Sequence, residues 1–461
     1  MSHPVPSSVE PSIDFEPVSI GEFQQRRERL LGQLPPGTGV LLRAASQKIR
    51  NRDAEYPFRQ HSDFHYLSGF PEPDALMLLI KNAQGEIRSL MFVLPKDPQQ
   101  EIWTGYRVGA DGVEARFGFD QGYTLDQLDK LMPPQLQGLE QLYFSFSDTE
   151  LSAQLQGWCQ NLQQRLRSAE QVPQQRLNLE PLLHELRLIK GPAEQQLMRA
   201  AGQISAAAHR RAMQKCCSGM GEYRLEAEIQ HEFGRHGCRF PAYASIVGGG
   251  ANGCILHYTQ NSDTLDDGEL VLIDAGAEVE GYAGDITRTF PINGQFSDDQ
   301  RALYQVVLDA QQAAIAVVKP GARFDDPHQI ALKLLVVGLV KLGLLQGDPD
   351  ELIEQEAYKP FYMHRTSHWL GLDVHDVGEY KQQGESRILE PGMVLTIEPG
   401  LYIAPNNETV EPRWRGIGIR IEDDVLVTDS GHEVLTESVP KTIDGIERLM
   451  NQQPRQLTEA E

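Results

Sequence analysis

Four carboxylates stand in this sequence where carboxylates are costly. Asp274 closes the apolar run LVLIDAG at 270–276, and Asp285 opens DITRTF at 285–290. Glu398 closes VLTIEPG at 394–400, and Glu422 lies in GIRIEDD at 418–424. Each run reads as a strand, and an isolated charge buried in one is strongly unfavourable unless it is paired or holds a metal. Period-2 alternation puts Asp274 on the face of Leu270 and Leu272, and Glu422 on the face of Arg420, which turns the acids inward with a cation nearby. Two divalent cations neutralise four ionised carboxylates, whereas one cation or one arginine does not. His368 is the fifth candidate ligand. It lies in SHWLGLDVHDVG at 367–378, with His375 in the same segment and His364 just upstream. One imidazole in an oxygen-rich shell suits manganese, with cobalt or zinc as alternatives. Singly, each residue has a plainer reading: Asp274 and Glu398 as turn residues before Gly or Pro-Gly, His368 or His257 as an interior histidine, Glu422-Asp423-Asp424 as a solvated strand end. Their joint occurrence in duplicated contexts outweighs those readings.

The duplication sets the architecture that must position these groups. One half carries helices at 193–215 and 223–236, with a Gly break between, then the strands ending in Asp274 and starting at Asp285. The other carries helices at 298–318 and 327–343, broken at Pro320-Gly321, then the strands carrying Glu398 and Glu422. In both, the first acid is followed two positions later by glycine, Gly276 or Gly400. Upstream, short β-rich runs (GVLLRAA, ALMLLIK, SLMFVLP, QLYFSF) mix with a polar helical stretch at 149–168, an α/β pattern. The expected organisation is a lead-in at 1–17, an α/β domain at 18–180 and a second domain at 181–461.

Composition narrows the function. A chain of 461 residues exceeds what one core serves, and 40% hydrophobic with 23% charged residues is ordinary for a globular protein. The net charge of -23, with no offsetting Lys/Arg run, argues against nucleic acid as a partner. Five cysteines without C-x-x-C spacing fit a reducing compartment, and a cytoplasmic location is expected. The first residues have neither the basic nor the apolar region of a secretory signal. The run LLVVGLVKLGLL at 334–345 falls short of the ~20 residues of a membrane span and reads as a buried helix.

The strings ILHYT, LIDAG, GDITRTF, SHWLGLDVHDVG, EPGMVLTIEPGLYI and GIGIRIEDD resemble the Xaa-Pro aminopeptidases of the bacterial aminopeptidase P type, in the pita-bread metallopeptidase family. NRDAEYPFRQHSDFHYLSGF at 51–70 and EIWTG at 101–105 extend the resemblance, more loosely, into the first domain. It implies a pseudo-twofold pita-bread domain, a curved antiparallel sheet covered by helices, behind a small α/β domain that governs substrate access and oligomer contacts. It also implies that Asp285 and Glu422 bridge two metals, that Asp274 completes one site, and that His368 and Glu398 complete the other. The activity implied is release of the N-terminal residue from peptides with proline second, by a hydroxide bridging the metals, with Glu398 as proton acceptor. His257 and His375 hydrogen-bond the substrate, His364 and Arg420 shape the proline pocket, and Asp53 and Trp103 occupy substrate-access positions. A homo-oligomer, dimer or tetramer, is implied as well. A prolidase, restricted to dipeptides, shares the metal set and is the alternative. A metal-free relative is not expected, because no ligand position is replaced. The chain departs from the family's usual His-Gly-Leu-x-His by reading His364-Arg365-Thr366-Ser367-His368, where loss of a glycine predicts an altered or strained loop.

Overall fold

The computed structural model describes residues 13–166 and 171–452, so residues 1–12 of the expected lead-in lie outside it. The chain divides into a first unit, Val18–Arg187, and a second that starts at Leu188 and includes residues 13–17. The division falls at 187/188, not at the expected 180/181. Long-range contacts tie the helix Glu180–Leu188 to the first unit: Arg187 pairs with Asp63 at 2.7 Å, and the Leu186 carbonyl accepts from the Tyr66 hydroxyl at 3.1 Å.

In the first unit a six-stranded mixed sheet runs in the order Gln121–Thr124, Ile87–Val93, Leu76–Lys81, Thr38–Arg43, Gln141–Phe144, Gln175–Asn178. Its central runs are apolar at nearly every position because both faces are covered. Leu78, Ile80, Phe92 and Leu142 pack with Met132, Leu155 and Trp158 of the helices Leu128–Leu136 and Thr149–Leu166.

Asp63 ties this unit's last helix to its Ser62–Ser68 helix. Its side chain is 7% exposed and lies 2.7 Å from Arg187 and 3.4 Å from His184. Burial alone would raise its pKa; the His184 and Arg187 contacts override that and hold it at about 2. A depressed carboxylate stabilises above its unfolded pKa of about 3.9 and loses that contribution as pH falls through the folded value. The pair is therefore expected to contribute about 2 kcal/mol at neutral pH, lost between about pH 4 and 2. Urea midpoints measured across that window should fall more steeply for the native sequence than for Asp63→Asn.

The second unit repeats one arrangement. Leu270–Asp274 pairs antiparallel with Thr287–Pro291, and Val394–Ile397 pairs antiparallel with Asp423–Val427. In the first pair Asp274 faces Thr287; in the second Ile397 faces Asp423. Asp274 and Asp285 thus stand at one end of their pair, and Glu398 and Glu422 at the same end of theirs. The helices Pro192–Lys215, Glu222–Arg235, Asp298–Ala316 and Asp326–Lys341 accompany the two halves. The last carries most of the run expected at 334–345 and stops at Lys341, where Gly343 takes φ +74°. No described helix is long and apolar enough to cross a membrane.

A fully buried ion pair joins the halves. Arg288, on the strand after Asp285, lies 2.7 Å from Asp423, beside Glu422, and both side chains are 0% exposed. Thr436, Gln311 and Lys441 also bond Asp423, at 2.7, 2.8 and 2.5 Å. Glu422, Asp423 and Asp424 are all buried, so the reading of this triplet as a solvated strand end is overturned.

Candidate metal centre

A cavity of about 860 Å³ in the second unit is lined by Asp274, Asp285, His368, Glu398 and Glu422. Asp285, His368 and Glu422 each offer a donor atom within 4.8 Å of the others. His368 Nε2 lies 3.3 Å from Asp285 Oδ2 and 3.7 Å from Glu398 Oε1. His368 Nδ1 is 2.9 Å from the Trp369 carbonyl, an acceptor only, so Nδ1 carries a proton and Nε2 faces the carboxylates. Backbone pairing brings His368 and Glu398 together: the Glu398 N–H donates to Thr366 O at 2.8 Å, and the Thr396 N–H to His368 O at 3.0 Å.

Arg420 reaches across the same cavity. It pairs with Asp274 at 2.7 Å and donates to Thr287 Oγ1 and Tyr402 OH, both at 3.0 Å. The Thr287 hydroxyl in turn donates to Glu422 Oε2 at 2.6 Å. The Tyr243 hydroxyl lies 2.5 Å from Asp274 Oδ1 and 2.6 Å from Asp285 Oδ1. It has one proton to donate, so the second oxygen–oxygen contact needs another proton or a cation.

The charge balance points the same way. Burial raises Glu398 to about 7 against the pull of His368 and Arg420. Burial also raises Asp274, and burial with Asp285, Glu398 and Asp274 as neighbours lifts Glu422 well above the usual carboxylate range. Burial would lower His368, but Asp285 and Glu398 raise it to about 9. Four carboxylates thus face one guanidinium and one imidazole, too little positive charge to ionise them all. An oxygen-rich set with one imidazole, short of positive charge, fits divalent cations.

The outer residues line the cavity too. His364 accepts from Tyr402 OH at Nε2 and donates from Nδ1 to the Arg365 carbonyl, both at 2.8 Å. Burial and the neighbouring Arg420 push it down to about 3, which keeps it neutral. The His375 ring is 4.4 Å from that of His368, at 76°; burial and His368 lower its pKa. His257 is exposed on a loop that the buried Glu222 anchors. That carboxylate accepts from Gly249 N at 2.8 Å, Asn252 Nδ2 at 3.1 Å, and Tyr258 OH and Asp263 N at 2.9 Å.

Metallopeptidase family M24 matches residues 196–429, and the aminopeptidase P N-terminal domain matches residues 23–143. The chain is 48% identical to the Xaa-Pro aminopeptidase of Escherichia coli, over 94% of this chain and 98% of that one. It belongs to metallopeptidase family M24. Of solved M24 structures, an aminopeptidase from Pseudomonas aeruginosa superposes with a TM-score of 0.92 at 48% identity, covering 94% of this chain and 98% of that one. Escherichia coli aminopeptidase P with the inhibitor Pro-Leu gives 0.91 at 48%, covering 94% and 99%. The pita-bread architecture expected for the second unit is that of the family, and M24 metallopeptidase chemistry requires divalent metal ions.

Asp53 and Trp103 belong to the first unit and are exposed there (Trp103 84%). Arg365 shows no positive φ, so the strain expected from the lost glycine is absent. Instead the Arg365 guanidinium pairs with Asp325. Tyr243, Thr287 and Tyr402 were not singled out beforehand. Thr287 stands two residues after Asp285 in a strand, an alternation that could have flagged it; Tyr243, in PAYAS, carries no such signal.

Proposed function

We propose that this M24 protein is an Xaa-Pro aminopeptidase, releasing the N-terminal residue of peptides whose second residue is proline. The observation that carries the reading is the convergence, in one cavity, of four carboxylates from two repeated strand pairs and the imidazole of His368. Curated relatives named Xaa-Pro aminopeptidase, from Escherichia coli and Haemophilus influenzae, support it over a prolidase.

Asp274, Asp285, His368, Glu398 and Glu422 would hold two divalent cations, manganese by preference. When bound, the cations acidify water and polarise the scissile carbonyl. Glu398, buried in the cavity, accepts a proton from the attacking water and returns it to the leaving proline nitrogen. That nitrogen has no hydrogen before cleavage, so the substrate offers no donor there and must be recognised by shape. Arg420, Tyr402 and His364 form a fixed relay against which a ring can seat, and His257 and His375 bond the peptide carbonyl from the cavity wall. Asp53 and Trp103 contribute to substrate access from the first unit. Exposed Ile102, Trp103 and Tyr106 give that unit an apolar surface suited to a homo-oligomer. The odd cysteine count supports a cytoplasmic location, and the acidic charge argues against nucleic acid.

A direct comparison of substrates tests the reading. With manganese, an Xaa-Pro-Xaa tripeptide is expected to be cleaved with kcat/KM at least about tenfold above that for the Xaa-Pro dipeptide, about 1.4 kcal/mol of discrimination. The opposite order would make the protein a prolidase.

A further inference from the structure

We propose that Thr366 is a positioning residue, held by His328, that sets the placement of His368 against Glu398. Thr366 is fully buried. Its hydroxyl lies 2.8 Å from His328 Nδ1, on the Asp326–Lys341 helix, and 2.6 Å from Tyr362 OH. Its carbonyl accepts the Glu398 N–H at 2.8 Å. Two residues on, the His368 N–H donates to Thr396 Oγ1 at 3.2 Å, and the His368 carbonyl accepts from Thr396 N at 3.0 Å. The loop is thus laid along Thr396–Glu398 by its backbone and tied to a helix from behind by one side chain. Arg365, beside it, pairs with Asp325 just ahead of the same helix.

Arg365 and Thr366 are the two positions at which this chain departs from Gly-Leu. Neither glycine nor leucine could make these contacts, so the departure replaces loop geometry set by glycine with a clamp made by side chains. His328 does not line the cavity, so it acts on the chemistry through Thr366. A shift of His368 or Glu398 loosens the cation site, because the groups that hold a metal's ligands in place govern both affinity and rate.

The inference rests on the aminopeptidase reading for its kinetic arm only. Thr366→Val removes the hydroxyl and keeps the shape; Thr366→Ser keeps the hydroxyl. In the Thr366→Val variant, kcat on an Xaa-Pro-Xaa tripeptide with manganese is expected to fall about 10- to 100-fold, with KM within about twofold. Manganese affinity of the metal-stripped protein, by calorimetry, should weaken over a similar range, and Thr366→Ser should restore both. A lowered melting temperature with native kcat and native manganese affinity would make Thr366 merely structural and overturn the proposal. If the unsubstituted protein does not cleave the tripeptide, the aminopeptidase reading fails and the manganese affinities alone decide. Should Thr366→Val not fold, His328→Phe, which removes the partner and keeps a ring, is expected to show the same losses; native values there would equally overturn it.

Discussion

Glu398→Ala is expected to lower kcat/KM on an Xaa-Pro-Xaa tripeptide by at least about a thousandfold, because it removes a proton acceptor and a donor to the cations together. Asp285→Ala should do the same. The fold should survive both. Burial raises Glu398 to about 7, so its charged form is costlier in the folded than in the unfolded chain. Above the unfolded pKa of about 4.3 that cost opposes folding, and alanine removes it. The metal-free Glu398→Ala protein is therefore expected to melt no lower than the metal-free native protein. Steady-state kinetics with a melting curve on the same samples checks both halves; native activity in either variant would remove these residues from the mechanism.

Asp423→Ala is expected to give the largest loss of stability. It strands Arg288 at 0% exposure, with Lys441 nearby, and the cost of leaving a buried charge unpaired is about 3–5 kcal/mol. At about 2–4 °C per kcal/mol for a unit of this size, the second unit's melting temperature should fall by roughly 10 °C. Burial would raise the Asp423 pKa, but Arg288 and Lys441 hold it below the usual carboxylate range. A depressed carboxylate keeps its contribution at every pH above its unfolded value and loses it only in strong acid. The deficit of the variant should therefore be unchanged between about pH 5 and 8, which calorimetry across that range measures.

The contrast between Glu398 and Asp423 shows what the sequence made legible. Asp274, Asp285, Glu398 and Glu422 could be read because each sits at the end of an apolar strand, where period-2 alternation decides which way a side chain points. His368 could be read from the cluster of histidines around it. The plainer reading of Glu422-Asp423-Asp424 as a solvated strand end could not be dismissed from local pattern at Asp423, because what buries it comes from afar: Arg288 is 135 positions away and Gln311 112. Tyr243 reaches Asp274 from 31 residues upstream with no periodic pattern to announce it. At Arg365 the loss of glycine read as an altered or strained loop; the backbone takes no positive φ there, and the side chain finds Asp325. The unit boundary slipped from 180/181 to 187/188 because a long-range ion pair, Arg187 with Asp63, assigns the helix to the first unit. Local pattern thus located the candidate ligands, while contacts between distant residues decided what surrounds them.

The most direct test of the two-cation site is the number of manganese ions bound per chain at saturation, by equilibrium dialysis of the metal-stripped protein. Two ions are expected for the native chain and at most one for Asp285→Ala. One ion or none on the native chain would contradict the assignment.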